Sequence, residues 1–171
     1  MNKTLFALSQ QCGALLLQHH WKLATAESCT GGWIAQSITA VAGSSDWFEM
    51  GLVTYSNEAK QKLLKVPATY FEPQAPGAVS EETVLAMAMG ALQASGAQFA
   101  IATSGVAGPG GGSVDKPVGT VWIGWVWQVP GAPLGSLARV QRFAGDRESV
   151  RRQTVQAALE GLLEVLRQAA P

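Results

Sequence analysis

Ser28 and Lys60 are the two side chains whose types and setting could do nucleophilic chemistry. Ser28 lies in Ala26-Glu27-Ser28-Cys29-Thr30-Gly31-Gly32-Trp33. A strand-like run, Lys22-Leu23-Ala24-Thr25, precedes it. A helix-like run from Trp33 to Ile38 follows, with Ile34, Ile38 and Val41 on one face. A strand-to-helix turn sets side chains at the open end of a sheet, where a hydroxyl can attack an electrophilic carbon. The new helix also brings free backbone N–H groups and a positive dipole end to that place. The N–H groups of Thr30, Gly31 and Gly32 could therefore face developing negative charge. The competing reading is that Ser28 or Thr30 only caps the helix while the glycines only turn the chain.

A serine nucleophile needs a base to accept its proton. His19 and His20 sit at the end of the first helix, away from the expected sheet end, with no Asp, Glu or Cys at metal-ligand spacing nearby. A lysine can serve if a poorly solvated pocket lowers its pKa from about 10.4. Lys60 is placed for this, one turn into the helix that follows the next strand. Tyr55, five residues earlier, could lie at the same sheet end as an orienting or relaying hydroxyl. Cys29 is the rival nucleophile, without a histidine partner in view.

Two further stretches could line a ligand. Ser104-Gly105-Val106-Ala107-Gly108-Pro109-Gly110-Gly111-Gly112 follows a strand-like run, so Ser104 and Gly105 are candidate binding residues on a loop. It is no P-loop, since Ser113-Val114-Asp115-Lys116-Pro117 and a strand follow it instead of Gly-Lys-Ser/Thr and a helix. The dinucleotide fingerprint fails for want of the same helix, and the zinc-deaminase signature is absent. Arg139, Arg142, Arg147, Arg151 and Arg152 form the second stretch. Arg147 and Arg151 share one face near the start of the last helix, a setting that favours phosphate or carboxylate. The alternative is a solvated basic face paired with Asp146 and Glu148.

Positioning these groups requires a sheet. Helical periodicity runs from about Lys3 to His20 through Leu5, Leu8, Cys12, Leu15 and Leu16. Strand runs follow at Trp47–Tyr55, Phe99–Thr103, Gly119–Trp127 and Leu137–Phe143. Helices follow at about 57–64, from Ser80 to Gly96, and from Asp146 onwards through Val150, Val155, Leu159 and Leu166. The order predicts one domain over 1–171, a three-layer α/β/α fold with a mixed, mostly parallel sheet. The chain is 47% hydrophobic and only 14% charged, so burial must be extensive, in the core or between subunits. That balance and the six tryptophans raise the expectation of a homodimer or larger assembly. Zero net charge and the lack of a long apolar run exclude a basic nucleic-acid binder and a membrane-spanning protein. With two cysteines and no signal-peptide pattern, a cytoplasmic location is expected.

Five ordered motifs resemble the CinA C-terminal domain family: Ala26 to Gly32, Val53-Thr54-Tyr55-Ser56-Asn57-Glu58-Ala59-Lys60, Gly77-Ala78-Val79-Ser80, Ser104 to Pro109, and Lys116-Pro117-Val118-Gly119-Thr120-Val121. The similarity spans nearly the whole chain and is closer to the form of the domain that stands alone. It implies hydrolysis of the carboxamide of nicotinamide mononucleotide (NMN) in pyridine-nucleotide recycling. It further implies a serine–lysine pair, Ser28 and Lys60, without metal or other cofactor. Tyr55 falls in a family motif, and Ser104 and Arg147 fall in regions that border the nucleotide pocket. A nucleotide-binding module without turnover and an amidase for another small amide are the competing functions.

Overall fold

Leu5, Cys12 and Leu16 bury one stripe of the first helix, α1 (Lys3–Gln18). Asn2 caps it by accepting from the N–H groups of Thr4 and Leu5. The computed structural model of the chain describes residues 2–170. Met1 and Pro171, the ends of the expected domain, lie outside the described residues. After α1 come β1 (Leu23–Glu27), α2 (Trp33–Thr39), β2 (Phe48–Val53) and α3 (Asn57–Leu64). Then follow α4 (Glu81–Ser95), β3 (Phe99–Gly105), β4 (Thr120–Trp127), β5 (Gly135–Arg142) and α5 (Arg147–Ala169).

The five strands form one sheet in the order β2-β1-β3-β4-β5. β1 pairs in parallel with β2 and with β3. β4 runs antiparallel to both β3 and β5. Four strands therefore point one way and β4 points back, the mixed and mostly parallel sheet that the element order predicts. Its faces are covered by different helices. Phe99, Ile101, Ile123 and Trp125 pack with Ile34, Ile38, Leu159 and Leu162 under α1, α2 and α5. Ala24, Ala26, Ala100 and Ala102 pack with Leu64, Val84, Met87 and Ala88 under α3 and α4. Burying each large apolar side chain in these layers contributes about 1.5–3 kcal/mol.

The difference in residue size between the faces has a consequence. Alanines on β1 and β3 let α4 lie close to the sheet, and Gly90 of α4 meets the backbone of Leu64 at the end of α3. No side chain fits there, so α3 is held against α4 by direct backbone approach. On the other face Trp125 lies over Gly161, and its indole N–H donates to the Ala158 carbonyl at 3.0 Å. Trp21, Trp47 and Trp125 are buried within this one chain.

Several boundaries differ from the sequence expectation: α1 ends at Gln18 before the histidines, β2 stops at Val53 short of Tyr55, and β5 begins at Gly135. β1 extends through Glu27, whose side chain turns back to the start of α2. β3 extends through Ser104 and Gly105, which the sequence places in a loop. The strand continues because β4 still pairs there, Ser104 against Trp122 and Gly105 against Val121.

Candidate active site

Ser28 emerges from the carboxyl end of β1, with its N–H donating to the Thr103 carbonyl at 3.0 Å. Strand alternation puts its side chain on the α3/α4 face, after Ala24 and Ala26. β2 ends beside it, and the Ser56 hydroxyl caps α3 by accepting from the Ala59 N–H at 3.0 Å. One turn into α3, Lys60 points back under the sheet end. It is 1% exposed, and its Nζ donates to Ser28 Oγ at 3.0 Å. The same Nζ donates to the carbonyls of Thr54 at 2.8 Å and Tyr55 at 3.3 Å. Burial pushes the Lys60 ammonium below its ordinary 10.5. As a free amine it keeps two N–H bonds for the carbonyls, which leaves its lone pair at the remaining tetrahedral position, towards Ser28.

Cys29 is a poor competitor. Its thiol is buried, and burial pushes its pKa up to about 12, so at neutral pH it stays protonated and inert.

The turn after Ser28 is held from both ends. Glu27, 1% exposed, accepts from the N–H groups of Gly32 at 3.1 Å, Ile34 at 3.0 Å and Ala35 at 2.9 Å. Its carboxylate therefore occupies the N-terminus of α2. Neither Ser28 nor Thr30 caps that helix, whose N-cap residue, Gly32, has a left-handed backbone with φ of 94°. The Gly31 N–H donates to the Ser28 carbonyl at 3.0 Å. This corrects the expectation that Gly31 and Gly32 offer free N–H groups to an oxyanion: both are already engaged. The N–H groups of Cys29 and Thr30 donate to no protein acceptor among the described residues. The Thr30 hydroxyl is paired instead with that of Thr103 at 2.8 Å.

Arg151 of α5 holds the other side of the turn. Its Nε and one terminal nitrogen donate to the carbonyls of Cys29 at 3.1 Å and Thr30 at 2.9 Å. Its guanidinium also lies over the Trp33 ring, 5.3 Å from the centroid. The sequence groups Arg151 with the other arginines and misses this clamp. It also misses Glu27, although a lone acid in an apolar strand just before a glycine-rich helix start was the available signal.

Arg147 reaches over the sheet end. It donates to the Gly108 carbonyl at 2.7 Å and to the Tyr55 hydroxyl at 2.9 Å. Tyr55 is 62% exposed. Its hydroxyl turns to Arg147, and only its carbonyl meets Lys60. Arg147, Arg151, Gly31, Gly32, Trp33, Gln36 and Glu148 line an open cleft of about 650 Å³. Ser28 and Lys60 do not line that cleft; they lie beneath the adjoining turn. Arg147 and Arg151 bond to these groups rather than pairing with Asp146 or Glu148. Arg139 instead forms a two-pronged pair with Glu164, at 2.9 and 2.7 Å, away from the site.

Ser104, 2% exposed, stands beside Ser28 on β3. Gly105 follows, and an added Cβ would strike Val121 and the Thr120 carbonyl. Because the Val106 N–H donates to the Thr120 carbonyl at 2.8 Å, antiparallel alternation turns the Gly105 N–H towards β1 and the Ser28 turn. Among the described residues no group of three His, Cys, Asp or Glu could hold a metal ion. No helix among them is long and apolar enough to cross a membrane.

The model of the CinA C-terminal domain matches residues 5–166. The chain is 54% identical over 158 residues to a nicotinamide-nucleotide amidohydrolase PncC of Pseudomonas putida, covering 92% of this chain and 94% of that one. It is 49% identical to the protein of the same name from Escherichia coli K12, covering 92% of each. Among solved structures, a competence/damage inducible protein of Agrobacterium tumefaciens superposes with a TM-score of 0.90 at 38% identity, over 96% of this chain and 97% of that one. A CinA superfamily protein of Klebsiella pneumoniae superposes with a TM-score of 0.87 at 38% identity, over 96% and 98%. The chain belongs to the CinA C-terminal domain family.

Proposed function

We propose that the chain hydrolyses the carboxamide of NMN, giving nicotinate mononucleotide and ammonia and returning the pyridine nucleotide to NAD recycling. The observation that carries this reading is the 3.0 Å contact between Ser28 Oγ and a buried Lys60 Nζ. The names of relatives about half identical to this chain support the substrate.

Lys60 as free amine takes the Ser28 proton while Oγ bonds to the carboxamide carbon. The oxyanion is held by the N–H groups of Cys29 and Thr30 and by that of Gly105. The intermediate collapses, the C–N bond breaks, and the proton on Lys60 leaves with the nitrogen as ammonia. Water then attacks the acyl-serine and gives a proton to Lys60; the bond from Ser28 Oγ to the acyl carbon breaks, Lys60 returns that proton to Oγ, and the acid departs. Arg147 and the open cleft around Gly31, Gly32 and Arg151 hold the phosphate, whose charge and fork geometry suit guanidinium. Arg147, anchored on the Gly108 carbonyl, also ties the Tyr55 hydroxyl over the site, so Tyr55 shapes the mouth rather than taking the proton.

The direct test measures ammonia release from NMN by wild type and by Ser28→Ala. Wild-type turnover should fall roughly 10⁴-fold or more in the variant. Retained turnover in Ser28→Ala removes the serine mechanism. Binding of NMN without ammonia release by the wild type makes the chain a binding module. Arg147→Ala should mainly raise KM, by about tenfold or more for a charged hydrogen bond. An unchanged KM removes Arg147 from the phosphate site. The same reading includes a homodimer or larger assembly, supported by exposed Val53 and Tyr55 beside the site. Light scattering that gives the mass of a single chain would exclude it.

A further inference from the structure

The β1–β3 register sets Glu27 opposite Thr103, so the next residues, Ser28 and Ser104, stand side by side. Neighbouring strands lie about 4.8 Å apart, which puts the two hydroxyls within reach of one small functional group. Both face α4. On this face β3 carries Ala100, Ala102 and then Ser104, and β4 sets Trp122 beside Ser104. Alanine at 104 would complete the apolar pattern at no polar cost. The chain has serine there, 2% exposed, and its hydroxyl makes no hydrogen bond among the described residues. The fully buried hydroxyls without a partner among the described residues are those of Ser9 and Thr54. The Ser104 hydroxyl is not one of them, so it is unpaired yet open to a small polar group beside Ser28.

Resting on the amidohydrolase reading above, we propose that Ser104 is a further catalytic residue, the hydroxyl that holds the amide nitrogen of the substrate. A carboxamide has two chemically different ends. The oxygen must face the N–H donors near Cys29, Thr30 and Gly105, and the nitrogen must face away from them. Ser104 Oγ accepts one N–H of the bound carboxamide and so fixes which end is which. When Ser28 adds to the carbon, the nitrogen becomes pyramidal and its lone pair is no longer shared with the carbonyl. That lone pair takes the Lys60 proton that frees ammonia, while Ser104 Oγ goes on accepting an N–H of the nitrogen. No proton is gained or lost by Ser104 over the cycle. The site thereby favours an amide over an ester, whose leaving oxygen has no N–H to offer.

The test compares NMN with the methyl ester of nicotinate mononucleotide, reading ammonia and methanol respectively. Ser104→Ala should lower kcat/KM for the amide at least about tenfold more than for the ester, the loss expected when a site group that pairs with a substrate N–H is removed. Ser104→Cys keeps the volume with a weak hydrogen-bonding sulfur, and should show the same loss of selectivity. It decides the matter if the alanine variant does not fold. Ser28→Ala should lose both substrates together. An equal fall on amide and ester in folded Ser104 variants, or no fall, overturns the assignment and leaves the Ser28–Lys60 mechanism standing. A wild type that releases ammonia from no substrate removes that mechanism, and the role of Ser104 with it.

Discussion

Lys60 joins stability to activity through one proton. Burial holds its folded pKa below 10.5, so the unfolded chain binds the proton more tightly than the folded one. Stability therefore rises with pH from the folded pKa up to the unfolded value, and the burden is fully present below the folded pKa. Activity rises along the same limb, because only the free amine accepts the Ser28 proton. Lys60→Met removes the titrating group. Its turnover should fall about 10³-fold or more, and the wild-type melting temperature should rise with pH relative to that of the variant over the range in which the pH approaches 10.5 from below. Parallel melting curves across that range would show that burial does not perturb Lys60. Cys29 should behave in the opposite way. With its thiol near pKa 12, Cys29→Ala should keep turnover within about threefold of wild type, whereas a loss like that of Ser28→Ala would make sulfur the nucleophile.

The elements around the site owe their placement to contacts that the sequence shows unevenly. The helices and strands were legible, because apolar residues recur at 3.6 or 2 along most of the chain and Ser56, Ser80 and Asp146 stand as capping residues where they are expected. The pairing of Ser28 with Lys60 was legible from the rule that strand ends gather side chains, combined with the shortage of histidine. What held the turn was not. Glu27 reads as a polar residue at a strand end, and only the fold shows its carboxylate filling the N-terminus of α2. Arg151 is 122 residues from Cys29, and no local pattern links them. Glu27→Gln tests the first. The amide keeps one acceptor and turns an N–H group towards backbone donors, which should cost about 1–3 kcal/mol in a denaturant titration. A change below about 0.5 kcal/mol, the usual surface value, would mean that the α2 N-terminus is satisfied in another way.

Across the whole molecule, the reactive pair depends on how the α3/α4 layer meets the sheet. Ser28 is fixed by β1, whose neighbours on both sides are strands. Lys60 is fixed by α3, an eight-residue helix too short to be stable alone. It rests on α4 where Gly90 faces the backbone of Leu64. The distance that matters for proton transfer is thus set some four residues along α3 from Lys60, at a helix crossing without side chains. Gly90→Ala puts a methyl group into that crossing. Alanine favours the helix by about 1 kcal/mol, but overpacking against backbone costs typically 1–3 kcal/mol, and α3 must move because α4 is anchored on the sheet. Lys60 moves with it. The variant should lose about tenfold or more in kcat, since even a 1 Å misplacement remote from the chemistry can cost that much. KM for NMN should change little, because Arg147 and Arg151 stand on α5, across the sheet. Measuring both constants separates the outcomes: a loss in KM with kcat retained would show that the α3/α4 crossing positions the nucleotide rather than the base.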